Sequence, residues 1–141
     1  MRTPGYLVWR LSNKWRVAVD RALAPLGLTH AQYVFLSSLF GMTREGQLPS
    51  QRELADWTGL EALYVSKLAR GLDADGLIQR TRDTVDTRTV RLTLTDRGRE
   101  VVEPAIAQVA ALLDRLLAPL DDERTQAFVR DLALLLDTPL D

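Results

Sequence analysis

Two strand-like runs on either side of a polar loop constrain the fold of this chain more than any other feature. The first run covers residues 77–82 and the second covers residues 89–94, and together they are rich in Ile, Leu, Val and Thr. Such runs joined by a short polar loop predict a β-hairpin. The loop holds Asp86 and Arg88, so the tip of the predicted hairpin carries a carboxylate and an arginine two residues apart.

Two short helices are predicted immediately before this hairpin. Ser50 and Glu53 have the spacing of a capping box, which marks the start of the first helix, and Gly59 marks the turn that follows it. The second helix is predicted over residues 61–75. Its apolar face consists of Val65, Leu68, Ala69 and Leu72. These residues have the i, i+3, i+4, i+7 spacing of a helix that packs on a core. Two short helices followed by a hairpin are the element order of a winged helix-turn-helix.

Longer helices are predicted on both sides of this unit. Periodic apolar residues predict a helix over residues 6–23. A capping box at Thr29–Gln32 opens a second helix, which Gly41 is expected to end. After the hairpin, two further helices are predicted over about 95–118 and 122–136. The predicted fold is therefore mainly α with a small β-hairpin wing.

The terminal helices carry more apolar surface than one small domain needs to bury, so we expect a second copy of the chain to cover it. The predicted arrangement is a winged helix-turn-helix lobe over residues 30–97 and a dimerisation lobe made of residues 1–28 and 98–141. The alternative is an internal bundle of the same helices. The candidate dimer-interface residues are Leu7, Leu11, Leu113, Leu116, Leu117, Leu120, Phe128, Leu132 and Leu135.

Composition excludes several classes of function. The chain has no cysteine and a single histidine, so disulfides, thiolate metal sites and cysteine nucleophiles are excluded, and it has no glycine-rich phosphate loop. We therefore expect neither an enzyme nor a bound metal or cofactor. No apolar run is long enough to span a membrane and the N-terminus does not resemble a signal peptide. We expect no membrane partner and a cytoplasmic location.

Charge is unevenly distributed along the chain, although the net charge is only −1. Residues 77–99 contain six basic and three acidic side chains, whereas residues 100–141 contain three basic and nine acidic ones. A basic stretch that coincides with a wing is typical of a protein that binds nucleic acid.

The outward face of the second short helix suits duplex DNA. Its lysine and arginine can contact phosphates or a guanine edge, its tyrosine and serine can bond phosphate oxygens, and its leucine can contact a thymine methyl. At the wing, Arg88 can enter the narrow minor groove and Asp86 can orient its guanidinium. The alternative is an ordinary solvated face with a local surface ion pair. The candidate DNA-binding residues are Arg52, Leu63, Tyr64, Ser66, Lys67, Arg70, Arg82, Asp86 and Arg88.

Three segments together resemble the MarR family of bacterial winged-helix regulators. They are LGLTHAQY at residues 26–33, the uninterrupted helix-turn-helix at residues 51–80, and DTRTVRLTLTDRG at residues 86–98. The resemblance implies a homodimeric transcription regulator, a repressor by the habit of the family, that binds a pseudo-palindromic operator in double-stranded DNA. It also implies that the terminal helices make the dimer.

Many members of that family are released from DNA by small phenolic or anionic ligands, so the resemblance also implies a small-molecule effector. The candidate effector residues, from the first two helices, are Trp9, Arg10, Trp15, Arg16, His30 and Tyr33. The alternative is that these residues are structural or simply solvated. A second hypothesis for the whole chain is a winged helix that contacts protein rather than DNA, since the net charge is weak and Glu61 lies at the start of the second short helix.

Overall fold

The computed structural model describes all 141 residues and contains six α-helices and one two-stranded antiparallel sheet. The helices are α1 (Pro4–Leu23), α2 (His30–Arg44), α3 (Gln51–Thr58), α4 (Ala62–Ala74), α5 (Asp96–Leu117) and α6 (Asp122–Leu136), and the strands are β1 (Ile78–Arg82) and β2 (Val90–Leu94). This order confirms the predicted mainly α fold with a hairpin wing. No helix combines the length and the apolar character that crossing a membrane requires.

Both predicted capping boxes are present. The Thr29 hydroxyl accepts from the Gln32 amide at 3.1 Å, and the Gln32 side chain accepts from the Thr29 amide at 3.0 Å. Ser50 and Glu53 make the same reciprocal pair at 3.0 and 3.4 Å. Each pair satisfies two backbone N–H groups that the first helical turn leaves without partners, which explains why α2 and α3 begin where they do.

Two predicted helix ends differ from the structure. The first helix begins at Pro4 rather than at residue 6, because the Thr3 hydroxyl caps it and proline suits the first helical turn. The second helix continues through Gly41 to Arg44. Gly41 is exposed and does not have a positive φ, so it costs some helix propensity without ending the helix. The glycine with the left-handed backbone is Gly46, with φ of 80°, in the turn beyond the helix.

The hairpin is attached to the segment that precedes α3. Within it, Ile78 pairs with Leu94, and Arg82 pairs with Val90. On the outer edge of β2, the Leu92 amide donates to the Pro49 carbonyl at 2.9 Å, and Ser50 forms a β-bridge with Arg91. The wing is therefore hydrogen-bonded to the start of the helix-turn-helix.

The core lies between α2, the helix-turn-helix, the hairpin and the first turns of α5. Its fully buried side chains include Phe35, Leu36, Leu39, Leu54, Val65, Leu72, Ile78, Leu92 and Val102. The predicted buried face of α4 is observed, with Leu68 half-buried. The chain divides into two compact units, residues 1–109 and 110–141, and α5 crosses from one to the other.

A tight joint connects the end of α4, the first strand and the start of α5. The Thr95 hydroxyl donates to the Gly76 carbonyl at 2.6 Å and accepts from the Gly98 amide at 3.0 Å. Gly98 is buried, and a β-carbon at this position would lie 2.9 Å from the carbonyl carbon of Leu77 and would overlap its oxygen. Only glycine allows α5 to approach the hairpin this closely.

Candidate nucleic-acid interface

Helix α4 presents the polar face that its sequence pattern predicts. Val65, Ala69 and Leu72 are buried, which leaves the opposite side of the helix in solvent. Leu63 and Tyr64 are 85% and 42% exposed. The other candidates on α4 are the exposed Lys67 and Arg70 and the half-buried Ser66, and the Arg70 guanidinium donates to the Ser66 hydroxyl at 3.1 Å. The face thus offers two cations, two hydroxyls and an apolar side chain to a partner.

The wing tip projects Arg88, whose side chain is 92% exposed. One carboxylate oxygen of Asp86 accepts from the Arg88 backbone amide at 3.1 Å and from its guanidinium Nε at 3.2 Å. The same two donors, the amide first, hold the pKa of Asp86 below its usual range. The Asp86 carbonyl also accepts from the Thr89 amide at 2.9 Å, which closes the turn. Asp86 therefore orients the arginine and keeps it at the tip.

The hairpin arginines have different partners in the structure, which the sequence alone does not reveal. Arg80 pairs with Asp73 of α4 at 2.9 Å, and this pair is about one-third exposed. Arg82 is exposed and donates to the Thr87 carbonyl at 2.8 Å, so it supports the loop that carries the tip. The side chain of Arg88 at the tip is 92% exposed, against 34% for Arg80 and 30% for Arg91, whose guanidinium groups are paired with carboxylates of other segments.

Arg91 joins the wing to the helix-turn-helix. Its guanidinium donates to Glu53 at 2.9 Å, to Asp83 at 3.2 Å and to the Leu48 carbonyl at 3.2 Å. Its side chain is 30% exposed, and that of Asp83 is 23% exposed. No local sequence pattern indicates this role of Arg91, because Glu53 and Leu48 are far away along the chain.

Both carboxylates around Arg91 have lowered pKa values. Partial burial alone would raise the pKa of Glu53, but the Ser50 amide and hydroxyl and the Arg91 guanidinium outweigh this effect and hold it below its ordinary value. The Val85 amide, followed by the Arg91 guanidinium, lowers the pKa of Asp83. The folded chain therefore favours the ionised form of both groups.

We expect the Arg91 contacts to weaken in acid. Since the folded pKa values of Glu53 and Asp83 are lowered, their contribution to the free energy of unfolding is present above the ordinary carboxyl range near pH ~4. It is lost as the pH falls through the folded values. Arg91→Gln should therefore lower the free energy of unfolding at neutral pH and change it less near pH ~3. Urea denaturation at both pH values measures this, and an equal difference at both would contradict it.

A cleft separates the wing loop from the starts of α3 and α4. It has a volume of about 740 Å³, and its lining includes Gln51, Arg52, Asp56, Asp86 and Arg88. The structure thus brings Arg52 of α3 to the same cleft as the wing arginine. The buried side-chain oxygen of Gln51 has no hydrogen-bond partner in this cleft, and sequence reasoning did not select it.

The candidate effector residues are spread along α1 and α2. Trp9 is 66% exposed, whereas Trp15 and His30 are half-buried. Tyr33 is also half-buried, and burial raises the pKa of its hydroxyl, opposed in part by a hydrogen bond with Ser37. The two arginines bond within α1: Arg10 donates to the Tyr6 hydroxyl at 2.7 Å and Arg16 to Asn13 at 3.2 Å. Arg10 also lines a groove along α1.

The candidate dimer-interface residues are incompletely buried in the single chain. Leu7 and Leu11 of α1 are 44% and 41% exposed. In α5 and α6, Leu113, Leu132 and Leu135 are 40%, 48% and 67% exposed. The other four candidates for the dimer interface are half-buried: Leu116, Leu117, Leu120 and Phe128. Each unit of the chain therefore carries apolar side chains in contact with solvent.

Related sequences are regulators of transcription. A family model described as transcriptional regulator SarA/Rot matches residues 21–104, more than half of the chain. The HTH-type transcriptional regulator YdcH of Bacillus subtilis is 36% identical over 104 residues, which cover 74% of this chain and 71% of YdcH. The HTH-type transcriptional repressor Rv2887 of Mycobacterium tuberculosis is 34% identical over 133 residues, which cover 93% of this chain and 91% of Rv2887.

Solved structures of relatives have the same fold. The complex of Rv2887, described as a MarR family protein, with DNA has a TM-score of 0.73 at 32% identity over 94% of this chain and 97% of that one. The transcriptional repressor CouR bound to a 23-mer DNA duplex has a TM-score of 0.83 at 28% identity, over 96% of this chain and 93% of CouR. Fold and relatives together define a winged-helix transcriptional regulator. Within that class, the chain belongs to the MarR family.

Proposed function

We propose that the chain is a homodimeric repressor that binds a pseudo-palindromic operator in duplex DNA. The observation that carries this proposal is the exposed Arg88 at the wing tip, oriented by Asp86 and presented together with the polar face of α4. The DNA complexes of Rv2887 and CouR support it, because both relatives share this fold.

Each element has a distinct task in this proposal. Helix α4 lies in the major groove, where Lys67 and Arg70 contact phosphates or guanine edges and Leu63 contacts a thymine methyl. Tyr64 and Ser66 bond phosphate oxygens. The Arg88 side chain enters the adjacent minor groove, where the negative potential is strongest. Arg52 and Arg82 add positive charge beside the phosphate backbone.

The test of this function is binding of operator DNA as a function of salt. Fragments selected from a random duplex library supply the operator, and fluorescence anisotropy measures its affinity. A dimer that neutralises several phosphates should lose affinity steeply as salt rises, and should prefer the selected sequence to an unrelated duplex. In a dimer of this kind, the centres of the two α4 helices should lie one turn of DNA apart, about 34 Å. The selected operator should therefore contain two half-sites with that spacing. Weak binding without sequence preference would instead favour a protein-contact module.

The dimerisation lobe is proposed to consist of residues 1–28 and 98–141, and the exposed leucines of α6 supply the test. Replacing Leu132 and Leu135 by glutamate puts two charges into a surface that a second copy would bury, which should convert the dimer to monomer. Sedimentation velocity measures the change. Leu63→Glu is the control on another helix, because Leu63 lies on α4 and is 85% exposed, more than Leu132 at 48% or Leu135 at 67%. A double variant that sediments like the wild type would contradict the proposed interface.

A small phenolic or anionic effector is proposed to release the repressor. The relative CouR has been solved with p-coumaroyl-CoA bound, in a structure with a TM-score of 0.83 and 25% identity to this chain. The proposed binding residues are the aromatic and basic side chains of α1 and α2 named above: Trp9, Arg10, Trp15, Arg16, His30 and Tyr33. Titration of the DNA complex with phenolic acids tests the release.

A further inference from the structure

A small cavity between the end of α2 and the start of α5 lies outside the surfaces described so far. It has a volume of about 290 Å³ and is lined by Phe40, Thr43, Arg44, Arg99 and Glu103. None of these residues belongs to the candidate DNA, effector or dimer surfaces. Two guanidinium groups and a hydroxyl therefore surround a space that the proposed function leaves unused.

Both arginines of this cavity lack an ion-pair partner within the chain. The four ion pairs in the structure involve other residues, and neither side chain donates a hydrogen bond to a protein acceptor. Arg44 lies over the Phe40 ring at 5.6 Å, a cation–π contact that holds the guanidinium in place. The cavity thus has one positioned cation and a second on the opposite helix.

The hydroxyl of Thr43 is the second independent feature. Its oxygen is buried and has no hydrogen-bond partner, although Thr43 lines the cavity. A buried hydroxyl without a partner destabilises a folded chain, so such groups are rare unless a ligand or water satisfies them. A ligand with acceptor oxygens in this cavity would contact both guanidinium groups, and a change of the Thr43 rotamer would turn its hydroxyl toward that ligand.

We propose that Thr43, Arg44 and Arg99 form a binding site for a small oxyanion, a carboxylate or a phosphate. Guanidinium groups bind both through paired, charge-assisted hydrogen bonds, and the cavity is too small for a large ligand. Glu103 is the opposing feature, because its carboxylate lines the same cavity and reduces the net positive charge to one unit. Glu103 forms no ion pair with either arginine, and its charge repels an anion in the cavity.

Isothermal titration calorimetry of the full chain without DNA tests the site, with sodium phosphate and sodium benzoate as separate probes and neutral benzamide as the control. We expect saturable binding of at least one oxyanion, one per chain, and none of benzamide. Saturation by phosphate alone assigns the site to phosphate, and saturation by benzoate alone assigns it to carboxylates. Absence of saturable binding by both anions would overturn the proposal.

Substitutions locate the site. Arg44→Gln and Arg99→Gln should each weaken binding about tenfold, the effect of one charge-assisted hydrogen bond. Arg130→Gln, an exposed arginine of α6, is the charge-matched control and should bind like the wild type. Glu103→Gln should tighten binding about threefold, because it removes a competing charge. Equal affinity in the two cavity variants and the control would place the anion elsewhere and overturn the proposal.

Thr43→Val separates a binding role from a structural one. The substitution keeps the shape of the side chain but removes its hydroxyl, so the variant should bind the anion more weakly yet unfold at the same or a higher temperature without it. A lower unfolding temperature with unchanged anion affinity would overturn the role of Thr43. Because no DNA is present, failure of these titrations leaves operator binding untouched, and failure of operator binding leaves the anion site untouched.

Discussion

Gly98→Ala is expected to cost the chain about 3 kcal/mol or more of its free energy of unfolding, which is a large part of the stability of a small protein. The added β-carbon would overlap the Leu77 carbonyl oxygen and would lie 3.1 Å from a methyl group of Leu94. The first of these neighbours is backbone, so no side-chain rotation relieves the overlap. The start of α5 would have to move away from the hairpin, and the Thr95 hydrogen bonds to Gly76 and Gly98 would weaken.

Gly71→Ala is the matched control for this prediction, since it makes the same chemical change in another helix. Gly71 lies within α4, is exposed, and a β-carbon there would have no atom within 4 Å. Alanine should therefore stabilise the chain by up to ~1 kcal/mol, because it favours the helical backbone. Urea denaturation followed by circular dichroism measures both variants. A Gly98→Ala protein as stable as the wild type would show that α5 does not need this close approach.

Arg88→Ala is expected to weaken operator binding about tenfold or more and to leave the free energy of unfolding nearly unchanged. The side chain is 92% exposed and its ion pair with Asp86 is local, so folding depends little on it. In the proposed complex the same exposure allows the guanidinium to enter the minor groove. The salt dependence of binding should also decrease, by about one unit for each subunit that loses the contact.

Arg80→Ala is the control on the same hairpin. Its guanidinium is already paired with Asp73 at 2.9 Å, so its loss should change operator affinity much less than the loss of Arg88. Lys67→Ala and Arg70→Ala test the face of α4 in the same assay, and each should weaken binding. Anisotropy titrations at several salt concentrations compare the four variants with the wild type. If Arg88→Ala bound the operator like the wild type, the wing would have no part in recognition.

The parts of the site that sequence reasoning predicted are those formed by neighbours along the chain. Asp86 and Arg88 are two residues apart, so the turn that holds them together could be inferred from the hairpin pattern alone. The faces of α4 follow from helical periodicity, and both capping boxes follow from a three-residue spacing. The one helix end that was clearly wrong, at Gly41, depends on whether packing around α2 can offset the cost of a glycine.

The parts that sequence reasoning could not predict are contacts between distant segments. The bond between Arg91 and Glu53 joins residues 38 positions apart, and no local pattern distinguishes this arginine from Arg88. The same holds for Arg44 and Arg99, which line one cavity only because the fold brings the end of α2 near the start of α5. A sequence pattern shows which residues are polar, but it does not show which of them are in contact in the folded chain.

The amino-acid sequence by itself determined the element order, the helix caps, the buried face of α4 and the arginine at the wing tip. Each of these depends on backbone and side-chain preferences that act within one or two turns of chain. The tertiary structure alone decided which hairpin arginines are used internally and why Gly98 has no room for a side chain. Those outcomes depend on the packing of α5 and the hairpin against the helix-turn-helix, where the distances are set by many contacts at once.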